Sequence, residues 1–167
     1  MSKALLCGVT GQDGAYLSRL LLDKGYEVHG ASRDAHAASF GNLAALGIRE
    51  RVQLASVNVT DFRSVIQAVE RIQPDEIYNL AGQSSVGLSF EQPIETLESG
   101  STATRNMLEV ARAHDADFLL SSTSECYGDP LVHPQVETYW GNVNPVGPRS
   151  CYDESKRYAE AITMAYH

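Results

Sequence analysis

The 167-residue sequence is poor in basic charge and has no long apolar segment. Its 13 lysines and arginines are outnumbered by 21 aspartates and glutamates, which gives a formal net charge of −8. This balance argues against a nucleic-acid backbone or an anionic membrane as the main partner. No apolar run reaches the roughly 18 residues of a membrane span, and Met1 to Lys3 lead directly into a predicted strand. We therefore predict neither a membrane segment nor a signal peptide.

Cysteine is also scarce. Cys7, Cys126 and Cys151 show neither CxxC spacing nor another pattern of metal ligands. We expect three reduced thiols and a cytoplasmic location. The five histidines are scattered along the chain, and we predict no metal site.

The sequence does contain a regular alternation of short apolar runs and helical patterns. The predicted strands are Ala4–Cys7, Tyr26–Gly30, Val52–Ala55, Glu76–Leu80 and Asp117–Ser121. The predicted helices are Asp13–Lys24, a short one near 38–46, one capped by Thr60 that ends near Ile72, one from Pro93 to about His114, and one that begins near Ser150. Apolar strands that alternate with helices predict a Rossmann-type, doubly wound α/β fold with a parallel sheet. We interpret residues 128–148 as an ordered loop into which Tyr139 and Trp140 pack.

Three glycines lie between the first predicted strand and the first predicted helix. Gly8 permits a tight turn, Gly11 lets a pyrophosphate approach the backbone, and Gly14 allows close packing of helix on strand. The helix N-terminus adds free N–H groups and a partial positive charge. We predict a dinucleotide-binding loop; the alternative is a tight turn without a ligand.

The end of the second strand chooses between dinucleotide cofactors, because an acidic residue there favours NAD. This chain has Ser32 and Arg33, which can contact a 2′-phosphate. We predict NADP, with NAD as the alternative because Asp34 follows. The alternative for Arg33 is a solvated surface charge.

Tyr152 and Lys156 are one helical turn apart at the start of the last predicted helix. A nearby lysine charge lowers a tyrosine pKa and makes Tyr152 a plausible base for a sugar hydroxyl. Thr123, at the end of the fifth strand, can hydrogen-bond to the same hydroxyl, and Glu125 adds a second acid/base group. The alternatives are strand-end capping for Thr123 and a surface charge for Glu125.

Four motifs together resemble the extended short-chain dehydrogenase/reductases that modify nucleotide sugars: GVTGQDGAYL, NLAG, SSTSECYG and YDESK. Within that family, GVTGQDGAYLSRLLLDKGYEVHG and NLAGQSSVGLSFEQP resemble GDP-mannose 4,6-dehydratases. The later stretch HPQVETYWGNVNPVGPRSCYDESKRYAE is more similar to UDP-glucuronate decarboxylases. The resemblance covers essentially the whole chain.

The resemblance implies roles for individual positions. The implied cofactor contacts are Gly8, Gly11, Gln12, Asp13, Gly14, Ser32, Arg33, Asn58, Val59, Leu80, Ala81, Gly82, Tyr152 and Lys156. The implied substrate contacts are Gln83, Ser84, Ser124 and Arg149, and the implied catalytic residues are Thr123, Glu125, Tyr152 and Lys156. Two positions depart from the family: Asn58 where an acid is usual, and Gly100 where Asn or Asp is usual in the central helix.

The implied activity is that of an NADP-dependent lyase. In a dehydratase, C4 of the sugar is oxidised, Glu125 removes the C5 proton, water leaves C6, and the hydride returns to C6. In a decarboxylase, the same oxidation at C4 leads to loss of CO2. Both reactions tolerate Thr-Ser-Glu at 123–125, whereas a plain 4-epimerase needs no such carboxylate.

Relatives of this kind are implied to be about twice as long and to carry a C-terminal substrate domain. We therefore expect residues 1–167 to be the NAD(P)-binding Rossmann domain of a longer enzyme, truncated after the YxxxK helix. In isolation we expect cofactor binding and little turnover, with an exposed edge at the fifth strand. A non-catalytic NADP-binding protein is the alternative. The helices at 93–114 and 150–167 are implied to form a homodimer surface.

Overall fold

Five parallel strands form one sheet in a computed structural model that describes residues 1–167. The strands are β1 (Lys3–Cys7), β2 (Glu27–Ser32), β3 (Gln53–Ser56), β4 (Glu76–Asn79) and β5 (Asp117–Leu120), in the spatial order β3-β2-β1-β4-β5. The predicted doubly wound α/β fold is confirmed, and each strand lies within two residues of its predicted bounds.

The centre of the sheet is β1, which pairs with β2 on one side and with β4 on the other. The chain winds outward through β2 and β3, and then crosses back to β4 and β5. In such sheets the reversal of strand order opens a crevice beyond the carboxyl ends of the central strands. The crevice here lies beyond β1 and β4, where Gly8 and Leu80 follow the strands.

Helices cover both faces of the sheet. The α-helices are α1 (Gln12–Asp23), α2 (Gly41–Ala45), α3 (Phe62–Ile72), α4 (Val86–Glu91), α5 (Pro93–Ala113) and α6 (Ser150–Tyr166), with 3-10 helices at Arg49–Arg51 and Ser124–Tyr127. On one face Leu5 and Ile77 pack against α3 and α5. On the other face Leu6 and Val28 pack against α1 and α2. None of the helices combines the length and apolar composition that crossing a bilayer requires.

The cap of one helix differs from prediction, and one short helix was not predicted. The cap of α3 is Asp61 and not Thr60: the Asp61 carboxylate accepts from Arg63 N–H at 3.0 Å. Thr60 is instead turned back, because its hydroxyl donates to Asn58 Oδ1 at 2.9 Å. The sequence analysis also missed α4, which Ser85 caps by accepting from Leu88 N–H.

The loop at 128–148 is only partly as predicted. Tyr139 stacks on Tyr127 with 5.8 Å between ring centroids. The prediction that Trp140 packs is wrong, since its side chain is 89% exposed. Arg157 binds the loop through backbone oxygens instead, donating to the carbonyls of Cys126 and Trp140. The loop is therefore anchored without burying the indole.

The helices α5 and α6 pack closely along one another. At their contact, a Cβ added to Gly100 would lie 2.5 Å from Ser155 Oγ and 2.9 Å from Ser155 Cβ. No such atom can fit without a shift of one helix. The glycine at this position therefore permits a close approach of two helices.

Candidate functional site

A cleft of about 1250 Å³ opens at the carboxyl edge of the sheet, in the crevice beyond β1 and β4. Among the residues that line it are Gly8, Gly11, Gln12, Asp13, Gly14, Ser32, Arg33, Asn58, Val59, Leu80, Ala81, Gly82, Gln83 and Ser84. These are all the predicted cofactor contacts except Tyr152 and Lys156, together with two of the four predicted substrate contacts. Their contacts with a ligand stay predictions.

The three loop glycines are constrained differently. Gly8 has a φ of +94°, and a Cβ there would lie 2.8 Å from the carbonyl group of Leu80. A Cβ on Gly14 would lie 2.5 Å from Gly8 O and 2.8 Å from Val9 Cα. At Gly11 the nearest atom, Gly8 O, would be 3.4 Å away, which is ordinary contact. The fold itself requires Gly8 and Gly14, whereas nothing in the protein requires Gly11.

The N-terminus of α1 faces this cleft. Gly11 precedes the helix and supplies no side-chain cap, so the first N–H groups have no side-chain acceptor. An anionic group can accept these hydrogen bonds and gain from the helix dipole. The bare surface at Gly11 and the uncapped helix together fit the pyrophosphate of a dinucleotide.

The adjoining wall is shaped by Asn79, a residue that the sequence analysis did not single out as functional. Its buried side chain accepts from Ala81 N–H and donates to Thr104 Oγ1, both at 3.2 Å. These bonds tie the loop after β4 to α5 and fix the backbone of Leu80 and Ala81 beside the cleft. The signal was present in the NLAG motif, where a polar residue ends an apolar strand.

Arg33 lies at the mouth of the cleft, where its Nη1 donates to Glu95 Oε1 of α5 at 2.7 Å. Both side chains are largely exposed, at 78% for Arg33 and 46% for Glu95. Arg33 is the only basic residue that lines the cleft, while Asp13, Glu91, Glu95 and Glu98 are acidic. The sequence analysis missed the three glutamates, because α4 was not predicted and no sequence pattern places α5 beside the end of β2.

The residues that follow β5 form a tight turn. Thr123 Oγ1 accepts from Glu125 N–H at 3.3 Å, which caps the 3-10 helix that begins at Ser124. Thr123, Ser124 and Glu125 do not line the cleft, but the preceding Ser121 does. The capping alternative for Thr123 is therefore present in the structure, and its catalytic role stays a prediction.

Lys156 connects α6 to the cleft. Its Nζ donates to the Ser121 carbonyl at 2.8 Å, and this carbonyl belongs to a residue of the cleft wall. Burial lowers the pKa of Lys156, while the charge of Glu160 opposes that shift. Tyr152 lies one turn earlier, half-buried, and no hydrogen bond joins its hydroxyl to Thr123.

Arg149 links the predicted residues around Tyr152. Its Nε donates to Glu125 Oε2 at 3.0 Å, its Nη2 donates to the same oxygen, and its Nη1 donates to Ser89 Oγ at 3.0 Å. The guanidinium also lies 5.1 Å from the centre of the Tyr152 ring. The structure thus brings Arg149, Glu125 and Tyr152 together, as a group beside the cleft rather than within its lining.

Comparison of the sequence with known proteins finds similarity to nucleotide-sugar dehydratases and decarboxylases. Residues 5–167 match the model of a family described as GDP-mannose 4,6 dehydratase. A GDP-mannose 4,6-dehydratase of Yersinia enterocolitica is 40% identical over 175 aligned positions, which cover 99% of this chain and 46% of that protein. UDP-glucuronic acid decarboxylase 4 of Arabidopsis thaliana is 56% identical over 96 residues, covering 58% of this chain and 22% of that protein. The chain spans less than half the length of these curated relatives.

Solved structures share the fold. A UDP-Glc/GlcNAc 4-epimerase from Campylobacter jejuni superposes with a TM-score of 0.84 at 24% identity, covering 99% of this chain and 49% of that one. A Thermus thermophilus UDP-glucose 4-epimerase, solved in complex with NAD, gives a TM-score of 0.81 at 25% identity, covering 98% of this chain and 50% of that one.

Proposed function

The chain belongs to the GDP-mannose 4,6-dehydratase family, and on that premise we propose that it is the dinucleotide-binding part of a nucleotide-sugar lyase. The specific activity proposed is an NADP-dependent 4,6-dehydratase, which converts GDP-mannose to its 4-keto-6-deoxy product. The alignment with the Yersinia enterocolitica dehydratase covers 99% of this chain at 40% identity, which favours this activity over others of the family.

One contact carries the proposal: Lys156 Nζ donates to the carbonyl of Ser121, which lines the same cleft as the glycine loop. The cleft fits a dinucleotide, since it offers a bare backbone at Gly11 and an uncapped helix N-terminus. A cationic lysine at its border is what the activation of a neighbouring tyrosine requires. Without that contact, the cleft would indicate nucleotide binding alone.

The proposed cofactor is NADP, with NAD as the alternative. The glycine loop would hold its pyrophosphate, and Arg33 would hold the 2′-phosphate in exchange for Glu95. When bound, the cofactor would supply reversible hydride transfer with the sugar, so that no net oxidation would occur. A structural neighbour of this fold, the Thermus thermophilus epimerase, was solved in complex with NAD, which supports a dinucleotide as the cofactor.

The side chains beside the cleft supply the proton chemistry in this proposal. Tyr152 removes the proton of the sugar hydroxyl, and Lys156 lies one helical turn away as the neighbouring cation. Thr123 orients that hydroxyl. Glu125 takes the proton next to the new ketone. Arg149 steadies the Glu125 carboxylate through two hydrogen bonds to Oε2.

Mass spectrometry of reactions with NADP+ and either GDP-mannose or UDP-glucuronate tests the proposal. Loss of one water from GDP-mannose, abolished by Tyr152→Phe, is the expected result. Loss of CO2 from UDP-glucuronate would favour the second candidate, a UDP-glucuronate decarboxylase, which the 56% identity to the Arabidopsis thaliana enzyme supports. If neither sugar changes while calorimetry shows NADP+ binding, the chain is a cofactor-binding unit without turnover.

We further propose that residues 1–167 are one Rossmann domain of a longer enzyme that acts as a homo-oligomer. Outside the cleft lining, α5 exposes Leu97 and α6 exposes Met164, at 48% and 68%. An exposed apolar helix pair of this kind suits a second copy of the chain. Sedimentation of the protein over a concentration series measures the oligomeric state, and a monomer at all concentrations would refute this part.

A further inference from the structure

Asn58, Val59 and Thr60, which follow β3, line the cleft and form what we call its outer wall. The chain leaves β3, the edge strand of the sheet, beside the end of β2, where Val57 N–H donates to the Ser32 carbonyl at 2.8 Å. In such sheets the end of β2 meets the ribose of the adenosine half of a dinucleotide. We therefore expect the base, which lies beyond that ribose, to meet the outer wall.

Every carbonyl and amide oxygen of the outer wall already has a donor from the protein. Asn58 Oδ1 accepts twice, from Thr60 N–H at 3.2 Å and from the Thr60 hydroxyl at 2.9 Å. The Asn58 carbonyl accepts from Asp61 N–H at 3.1 Å. The carbonyls of Val59 and Thr60 both accept from the buried amide of Asn106 on α5, at 3.2 and 3.1 Å. Both lone pairs of Asn58 Oδ1 are thus in use.

Two donors of the outer wall, in contrast, are unused. The Asn58 N–H donates to Ser64 Oγ at 2.9 Å, but Asn58 Nδ2 and the backbone N–H of Val59 donate to no acceptor of the protein. Asp61, the nearest carboxylate along the chain, accepts from Arg63 N–H as the cap of α3 and does not line the cleft. The outer wall therefore offers donors at two neighbouring residues and no free carboxylate that could accept from an amino group.

Adenine and a 6-oxopurine differ at the base edge that such donors can reach. N7 is an acceptor in both bases, but C6 carries an amino donor in adenine and a carbonyl acceptor in a 6-oxopurine. Two neighbouring donors match the O6 and N7 acceptors of a 6-oxopurine. Adenine offers them N7 alone, and its amino group meets a second donor.

We propose that Asn58 makes the base subsite of the cleft a donor site, which does not select for adenine and accepts a dinucleotide with a 6-oxopurine base at least as well. The inference rests on the proposed dinucleotide site. Asn58 is the specificity-determining residue, because an aspartate of the same shape could keep one oxygen for Thr60 and present the other to the base as an acceptor.

Titration calorimetry with NADP+ and with its hypoxanthine analogue, in which an oxygen replaces the amino group at C6, tests the inference through the ratio of the two dissociation constants. We expect wild type to bind the analogue as tightly as NADP+ or up to about tenfold more tightly, which is the contribution of one net hydrogen bond. In Asn58→Asp the ratio should shift about two- to tenfold toward NADP+, because the new oxygen accepts from the amino group and repels O6.

Gln83→Glu is the matched control, since it also converts an amide of the cleft lining to a carboxylate, but after β4. It should weaken the binding of both dinucleotides alike by repelling their phosphates. The wild-type ratio is decisive even if Asn58→Asp fails to fold: binding of NADP+ more than about twofold tighter than the analogue would overturn the inference and leave the proposed cofactor site standing. An unchanged ratio in a folded Asn58→Asp would also overturn it. If neither dinucleotide binds, the proposed cofactor site and this inference both fail.

Discussion

Replacing Glu95 by Gln should make the cleft prefer NADP+ over NAD+ more strongly. In the structure Arg33 donates to Glu95 at 2.7 Å, so a 2′-phosphate must displace that carboxylate before it can use the guanidinium. The two side chains are 78% and 46% exposed, and ion pairs of such exposure contribute only about 0.2–1 kcal/mol. At about 1.4 kcal/mol per tenfold, removing this competition strengthens NADP+ binding about 1.4- to 5-fold.

Titration calorimetry with NADP+ and NAD+ measures the two dissociation constants, and their ratio is the decisive quantity. Glu98→Gln is the matched control, because Glu98 lines the same wall but forms no ion pair. That variant should change both constants alike, by relieving general repulsion. Arg33→Gln should weaken NADP+ binding and leave NAD+ binding unchanged. The reasoning fails if Glu95→Gln leaves the ratio unchanged, or if Glu98→Gln changes it equally. The effect should also shrink at high salt.

Three further outcomes are expected. Gly14→Ala should unfold at a clearly lower temperature than wild type, because its Cβ would lie 2.5 Å from a backbone oxygen. Gly11→Ala, the control, should stay folded and lose dinucleotide affinity, and equal melting temperatures for the two variants would contradict the reasoning. Asp153→Asn should have a larger free energy of unfolding than wild type above pH 6, by up to about 3 kcal/mol at 1.36 kcal/mol per pKa unit, and should lose that advantage below about pH 4. The reason is that burial in the folded protein raises the pKa of Asp153 from 3.8 to about 6, so that wild-type stability falls as the pH rises through this window. Denaturant unfolding at a series of pH values measures the difference, and a difference independent of pH would refute the reasoning. Cys151 should be the first cysteine to react with a thiol reagent at neutral pH, because burial raises the pKa of Cys7 to about 12 and also raises that of Cys126. Mass spectrometry of the labelled peptides shows the order of reaction, and early labelling of Cys7 would indicate a more open fold.

Much of the fold could be predicted because its signals are local. Apolar runs such as Leu5–Cys7, followed by glycines and a helical pattern, specify a strand, a loop and a helix without knowledge of the rest of the chain. The glycine loop follows from the same local pattern, whereas the rest of the cofactor side of the cleft is implied by the family resemblance. The order β3-β2-β1-β4-β5 could not be predicted in this way, because doubly wound parallel sheets occur with more than one strand order.

What the sequence could not predict depends on contacts between distant segments. The pair of Arg33 and Glu95 joins residues that are 62 positions apart. The link from Arg149 to Ser89 spans 60 positions and uses a helix, α4, too short to leave a clear periodic pattern. Each contact joins segments that only the complete fold brings together, and no local pattern encodes it.

The contact between α5 and α6 at Gly100 affects the position of side chains beside the cleft as well as stability. Gly100 lies on α5, the same helix that carries Glu95 at the cleft mouth, and its partner Ser155 lies on α6 between Tyr152 and Lys156. The missing side chain therefore sets how far the tyrosine and lysine stand from the cleft. Misplacement of a reacting group by about 1 Å can cost on the order of a hundredfold in rate. A single methyl group at Gly100 would thus push the two helices apart and slow the proposed reaction, although this helix contact lies outside the proposed cofactor and sugar sites.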